Sequence, residues 1–161
     1  MSKRLPYGVA VFAALAGMAH AQGVPAKAPA IEAFAKGVQI YTCKASGSGY
    51  AWALKAPDAS LADAKGHPIA KHFAGPTWQA PDGSAVVGTP INVSPSPDAG
   101  AVPWLVLRAR SHSGSGQMAG VQYIVRTRTE GGVAPATGCD ASHAGGEVRV
   151  PYSAVYLFFR G

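Results

Sequence analysis

The sequence predicts an all-β fold, with an antiparallel β-sandwich favoured and a small β-barrel as the alternative. Short apolar or alternating runs recur after residue 36, and Gly, Pro, Asp and Ser separate them as turn residues separate strands. No run keeps an apolar stripe at helical spacing for three turns. The 20 glycines and 13 prolines of the chain also disfavour long helices.

The first residues have the features of an export signal. Lys3 and Arg4 precede an uncharged, mostly apolar run over residues 5–19, and Ala19-His20-Ala21 has the small-x-small pattern that signal peptidase cleaves. The run is shorter than the roughly 20 apolar residues that a spanning helix needs, and no later segment is long enough. We therefore expect residues 1–21 to be a cleaved signal peptide, and the protein to be secreted or periplasmic without a membrane span.

The segment 22–35 is interpreted as a flexible leader, because its first residues are rich in Ala, Pro and Gly and lack an apolar period. Residues 30–36 allow at most one helical turn. Residues 36–161 then form a single β domain. Loss of two positive charges with the signal peptide lowers the formal net charge from +6 to +4. Since no basic run is interleaved with aromatic residues, the sequence argues against nucleic acid as a partner.

Six segments have the composition and alternation of β-strands: 38–43, 50–54, 86–93, 104–110, 121–129 and 154–159. In the third segment, Pro90 indicates an edge position because it has no N–H to donate. In the fifth segment, strict alternation puts one set of side chains on one face and the other set on the opposite face: Val121, Tyr123, Val125 and Thr127 against Gln122, Ile124, Arg126 and Arg128.

Cys43 and Cys139 are the two cysteines of the chain, and both follow the predicted cleavage site. An even pair in an oxidising compartment predicts a disulfide between them, which would close most of the domain into one loop. Metal ligation is the alternative, but neither cysteine belongs to a C-x-x-C motif or lies near a histidine pair. We therefore expect a structural disulfide.

Several motifs follow one another in order along the predicted domain. They are Gly37-Val-Gln-Ile-Tyr-x-Cys43, Trp52 with Ala-Pro-x-Ala and Leu61, His72-Phe-x-Gly-Pro-x-Trp78, Asp82-Gly-Ser84, Pro103-Trp-Leu-Val-Leu107, Arg126-x-x-Thr129-x-Gly-Gly132 with Pro135 and Cys139, and Pro151-Tyr with Tyr156. In these motifs the chain resembles the secreted bacterial and fungal family called domain of unknown function 3455. That family has no established activity, so the resemblance implies a small secreted domain but no reaction.

Some fungal members of that family carry the label malate dehydrogenase. A dinucleotide enzyme needs a Gly-x-Gly-x-x-Gly turn between a strand and a helix, with an acidic residue further along. The glycine-rich stretches here, 46–49 and 113–116, lie between predicted strands and are expected to be hairpin loops. The sequence therefore gives this label no support.

The segment from His67 to Ser84 is the densest in chemically capable side chains. A hydrolytic triad would need His72, Asp82 and Ser84 to converge beside an oxyanion hole, and no G-x-S-x-G elbow surrounds the serine. In the structural alternative, Asp82 and Ser84 hold a turn while His72 hydrogen-bonds backbone near the following strand. His72, Trp78 and Asp82 are the candidate binding residues, on loops carried by the sheet.

Metal binding requires at least three converging ligands, and the histidines form no H-x-H or H-E-x-x-H pattern. We therefore expect neither a metal nor another cofactor. Cleavage after Ala19 would be the exception, because it would leave His20 as an amino-terminal histidine able to chelate copper with a second histidine.

Two further groups of side chains have a functional and a structural interpretation. The aromatic residues can line a sugar-stacking surface or, more commonly, pack in the core: Tyr50, Trp52, Trp78, Trp104, Tyr123, Tyr152 and Tyr156. Four arginines alternate along two predicted strands and are expected to share a solvated face, with an anion-binding patch as the alternative: Arg108, Arg110, Arg126 and Arg128.

These observations together favour an exported domain with a non-catalytic binding or structural role. A small ligand or a surface glycan is the expected kind of partner. A small secreted hydrolase that uses the segment from His72 to Ser84 is the alternative function.

Overall fold

Eight antiparallel strands make up most of residues 27–161, the part of the chain that the computed structural model describes. The predicted signal peptide and its cleavage site lie outside these residues. A 3₁₀ turn at Ala141–His143 precedes the last strand. The strands are β1 (Ile31–Ser46), β2 (Gly49–Ala62), β3 (Pro68–Phe73), β4 (Thr77–Gln79), β5 (Ala85–Ser94), β6 (Trp104–Ser113), β7 (Val121–Gly131) and β8 (Glu147–Arg160).

The strands form one closed barrel in which each strand pairs with the next and β8 pairs with β1. The all-β prediction is confirmed, and of the two architectures the structure has the barrel instead of the favoured sandwich. The long strand β1 explains the difference. It pairs with β2 along one side and with β8 along the other, from Ile31–Phe158 to Thr42–Glu147, so the single sheet closes on itself and no second sheet forms.

All six predicted strand segments lie within observed strands. Pro90 has a partner on β6 but none on β4, which pairs with β5 only as far as Val87, so the predicted edge position is confirmed. The glycine-rich stretches 46–49 and 113–116 connect β1 to β2 and β6 to β7, and are hairpin loops as expected.

The start of the domain differs from the expectation. Strand β1 begins at Ile31, so residues 31–35 belong to the sheet and not to a flexible leader, and residues 30–36 form no helical turn. Ala33 and Ala35 are buried while Glu32 and Phe34 are exposed, which is the alternation of a half-buried strand. The small side chains concealed this strand, because alanine carries little apolar or β-propensity signal.

The side-chain faces of β7 also differ from strict alternation. The register shifts between Val121 and Tyr123, so an extra residue in β7 puts Val121 and Ile124 together in the main core. Val125 packs instead with Val106 and Phe159 in a second apolar cluster. Since these three residues follow or precede core residues by one position, this cluster lies on the outer face of the sheet.

The barrel interior combines large side chains from some strands with small ones from others. Trp78, Tyr156 and Phe158 are almost completely buried. Strands β1 and β2 contribute mainly alanines to the main core, including Ala33, Ala35 and Ala59, and Ala33 is paired with Tyr156. The small side chains of β1 and β2 thus accommodate the large aromatic side chains of β4 and β8 in one packed core.

Gly37 lies where the backbone of β1 closely approaches that of β2. A Cβ atom built on this residue would be 2.2 Å from the Asp58 carbonyl oxygen and 2.5 Å from the Ala59 Cα. Both neighbours are backbone atoms that cannot turn away. The first motif of the sequence therefore begins with a glycine because two backbones touch there.

The predicted disulfide between Cys43 and Cys139 is confirmed. It joins β1 to the long connection between β7 and β8. Two backbone hydrogen bonds reinforce the junction, from the Cys43 N–H to Gly146 and from the Gly145 N–H to Cys43. The connection is thereby held against the barrel wall.

Within residues 27–161, no helix is long and apolar enough to cross a membrane.

Replacing Gly37 with alanine should destabilise the barrel by roughly 1–3 kcal/mol, because the new methyl group overpacks two backbones. Gly49→Ala is the matched control, since Gly49 also lies in a strand and a Cβ there would meet nothing within 4 Å. Urea unfolding followed by tryptophan fluorescence measures both. Equal stability of the two variants would contradict the close-contact explanation.

Loss of the disulfide should lower the free energy of unfolding by about 4–5 kcal/mol, because the closed loop is long. The two cysteines are 96 residues apart in sequence. The double variant Cys43→Ala with Cys139→Ala should unfold at lower urea concentration than the wild type. A reductant should lower the wild-type midpoint to that of the variant and leave the variant unchanged, whereas a reductant effect on both proteins would contradict the prediction.

Candidate functional site

A cavity of about 420 Å³ leads from the surface to the core residues Trp78, Leu107 and Tyr156. All eight strands and two connections contribute residues to its lining. Its walls are largely apolar, and four prolines contribute to them: Pro57, Pro76, Pro90 and Pro103. Such a concave, apolar space with a few polar groups is the usual form of a small-ligand site.

His72 and Trp78 stand on neighbouring strands at one side of this cavity. They are directly opposite each other in the pairing of β3 with β4, and their rings stack with centroids 4.3 Å apart and planes 6° apart. Tyr156 meets the imidazole edge-on at 5.3 Å. The tight turn between the two strands, Ala74-Gly-Pro76, therefore brings the two predicted binding residues into contact on strands and not on loops.

His72 is held as a neutral imidazole. Burial lowers its pKa to about 4, although the hydrogen bond with the Thr77 carbonyl opposes the change, and Arg126 nearby lowers the pKa further. The 2.9 Å contact from Nδ1 to the Thr77 carbonyl oxygen requires a proton on Nδ1. The other ring nitrogen, Nε2, is then a hydrogen-bond acceptor.

Arg126 is the one buried residue with a permanent charge among residues 27–161, with 8% of its surface exposed. Its Nε and Nη2 both donate to the Pro103 carbonyl oxygen, at 3.0 and 2.8 Å. Within that same part of the chain, no carboxylate forms an ion pair with it. The cavity wall thus contains a guanidinium whose charge no acidic side chain balances.

Three tyrosines are within electrostatic reach of this guanidinium. The charge of Arg126 opposes the rise in pKa that burial causes for Tyr41, Tyr152 and Tyr156. The Tyr41 hydroxyl donates to the Gly132 carbonyl oxygen at 2.7 Å. Because burial raises the pKa values of all three phenols, they stay uncharged near neutral pH and do not neutralise the arginine.

Two buried N–H groups at the cavity have no acceptor among the described residues. They are the side-chain amide nitrogen of Gln39 and the indole nitrogen of Trp78. Both residues line the cavity. A buried polar atom without a partner is costly and is often found where a ligand or ordered water completes the site.

Asp82 and Ser84 form a separate structural unit in the turn between β4 and β5. The Asp82 carboxylate accepts from the backbone N–H and the hydroxyl of Ser84 and from the backbone N–H of Gln117. The Ser84 hydroxyl in turn accepts from the Met118 N–H at 3.0 Å. Chiefly because of the Ser84 hydroxyl, the pKa of Asp82 is below its usual value.

The structure therefore joins two of the three candidate triad residues and leaves the third apart. Asp82 and Ser84 bond each other and the connection after β6, whereas His72 bonds Thr77 and faces the cavity. Each residue does what the structural alternative expected: the pair holds a turn, and the histidine bonds backbone of the following strand.

The predicted arginine face is only partly correct. Arg108, Arg110 and Arg128 are exposed, but Arg126 is buried and points into the barrel beside Ile124. Of the aromatic candidates, Trp78, Tyr152 and Tyr156 are buried, as core packing predicts. Sequence reasoning did not identify Gln39, Tyr41 or Arg126 as residues of the cavity. Strand alternation did, however, put Arg126 on the same face as Ile124.

Lowering the pH from about 7 to about 4.5 should destabilise the wild type in part through His72, because unfolding frees this imidazole to take a proton. The folded-state pKa of about 4 is below the unfolded value. The stability that depends on it is therefore present above about pH 6.5 and is lost as the pH falls towards 4. His72→Phe keeps a ring against Trp78 and should show a shallower decline in urea unfolding. A decline as steep as that of the wild type would contradict the prediction.

Asp82→Ala should lower the melting temperature more than Asp98→Ala. Asp98 is the matched control because it also accepts a backbone N–H two residues further on, from Gly100, within a local turn. Asp82 in addition connects two hairpins through Gln117. Thermal unfolding followed by circular dichroism compares the variants, and an equal effect would mean that the long-range bond does not contribute.

Comparison with known proteins identifies the family. No curated protein and no solved structure matches the chain. A family model described as "Protein of unknown function (DUF3455)" matches residues 25–160. The match includes all eight strands of the barrel, and the resemblance seen in the sequence motifs is confirmed. The chain belongs to the DUF3455 family.

Proposed function

We propose that this protein is an exported, non-catalytic binding module that takes one small, largely apolar molecule into the barrel cavity. The observation that carries this proposal is the cavity itself, with its apolar walls and buried N–H groups that lack acceptors. A purely structural domain gains nothing from such a space, since unfilled volume and unsatisfied donors both cost stability.

The size and lining of the cavity suit a small organic ligand. Its volume of about 420 Å³ falls within the roughly 300–1,000 Å³ usual for such sites. The stacked pair of His72 and Trp78 offers a flat wall, and the prolines provide rigid apolar contacts. Rigid walls reduce the entropy lost on binding, because few side chains have to be ordered.

The other functional hypotheses have less support. A surface glycan would need several exposed aromatic rings on one face, but of the seven aromatic candidates only Tyr50 is exposed. A hydrolase would need His72 beside Ser84, whose hydroxyl is engaged with Asp82 and the Met118 N–H. Export is supported by the disulfide, since such bonds persist in oxidising compartments.

The test uses a neutral fluorophore, N-phenylnaphthylamine, whose emission rises in apolar surroundings. We expect a saturable increase with one site per protein. Ala56→Trp should abolish this increase because Ala56 lines the cavity and the indole would fill it. Ala53→Trp is the matched control, as it makes the same change on the same strand at a residue that does not line the cavity.

A fluorescence increase that is linear in protein concentration, or one that Ala56→Trp leaves unchanged, would contradict the proposal. Circular dichroism and the melting temperature of each variant establish that the barrel is retained. Because the probe carries no charge, the outcome is independent of any preference for anions.

A further inference from the structure

We infer that the ligand of this cavity is a monocarboxylate with an apolar body, and that Arg126 binds its carboxylate. The inference rests on the proposed function and names the class of ligand for the same site. It is carried by the burial of one guanidinium without an acidic partner beside largely apolar walls.

A negatively charged ligand would neutralise the buried charge of Arg126. Taking a charged group out of water is costly unless an opposite charge and hydrogen bonds compensate for it. The cavity lining contains no Asp or Glu. Lys55, the second cation of the lining, is paired with Glu147, so the unbalanced charge is that of Arg126.

The guanidinium retains the donors that a carboxylate needs. Its five N–H groups include one on Nε and two on each terminal nitrogen. Nε and one N–H of Nη2 are used by the Pro103 carbonyl oxygen. Arg126 also has a side-chain hydrogen bond with Tyr156, which opposes the rise in the pKa of this phenol. Of the three N–H groups that Pro103 leaves on Nη1 and Nη2, two therefore remain for the two oxygens of a carboxylate.

The other polar groups of the cavity fit the same ligand. Gln39 and Trp78 both have a buried N–H without an acceptor. Tyr41 already donates to Gly132, and the neutral His72 contributes an acceptor and no charge. One unbalanced positive charge suits one negative charge, so a carboxylate is favoured over a phosphate dianion, whose second charge would be buried unpaired.

The experiment compares acids with their neutral amides. Naphthoate and naphthamide form one pair of the same shape, and decanoate and decanamide form a flexible pair. Isothermal titration calorimetry at neutral pH measures their affinities for the wild-type protein. We expect each acid to bind roughly ten to a hundred times more tightly than its amide, the range of a charged hydrogen-bonded pair.

The variant Arg126→Gln should remove this preference while leaving the affinity for the amides nearly unchanged. Arg108→Gln is the matched control, since it makes the same substitution at an exposed arginine on the neighbouring strand. It should bind both ligands as the wild type does. If Arg126→Gln does not fold, the wild-type comparison of acid and amide decides the question without it.

The outcomes separate this inference from the proposed function. Saturable binding of N-phenylnaphthylamine with equal affinity for acids and amides would overturn the carboxylate inference and leave the binding module standing. A preference for acids that Arg126→Gln retains or Arg108→Gln removes would also overturn it, because the charge would act from elsewhere. Failure of the fluorophore, the acids and the amides to bind would overturn the proposed function.

Discussion

The close approach of two backbones at Gly37 is the constraint on which the barrel depends. At this residue β1 is paired with Ala59 of β2 on one side and with Tyr152 of β8 on the other. A side chain there would force β1 away from β2, as the 2.2 Å distance to the Asp58 carbonyl oxygen indicates. Since β1 pairs with both β2 and β8, its position determines whether the sheet closes around the cavity.

Much of the fold could be predicted from the sequence, because six strands carry apolar or β-branched side chains in alternation. The strands that escaped prediction lack this signal. Strand β3 (Pro68–Phe73) buries only Ala70 and His72, strand β4 has only three residues, Thr77–Gln79, and the beginning of β1 is marked by alanines. The closure of the sheet into a barrel could not be predicted from the sequence for another reason. Sandwiches and barrels have the same alternation, and they differ in whether the first strand pairs with the last, which is a long-range property.

The site was predictable in its elements but not in its arrangement. His72 and Trp78 were singled out for their chemistry, and the hairpin that makes them cross-strand partners explains their contact. Arg126 was assigned to a solvated face because alternation does not tell which face of a strand is buried. Ile124 lies two residues before Arg126 on the same face of the strand and is completely buried. This apolar neighbour indicates that Arg126 points inward.

The same arginine also has a structural role, and this role does not account for its charge. Arg126 and Thr129 together hold the connection before β6, through the carbonyl oxygens of Pro103 and Val102. A neutral donor such as glutamine would satisfy a carbonyl oxygen at lower cost, because it would not have to be desolvated as an ion. The hydrogen bonds to Pro103 alone therefore do not account for the free energy that burial of the charged guanidinium costs. The inferred ligand anion would offset this cost, and its binding would explain why the guanidinium lies at the wall of an apolar cavity and not at the surface.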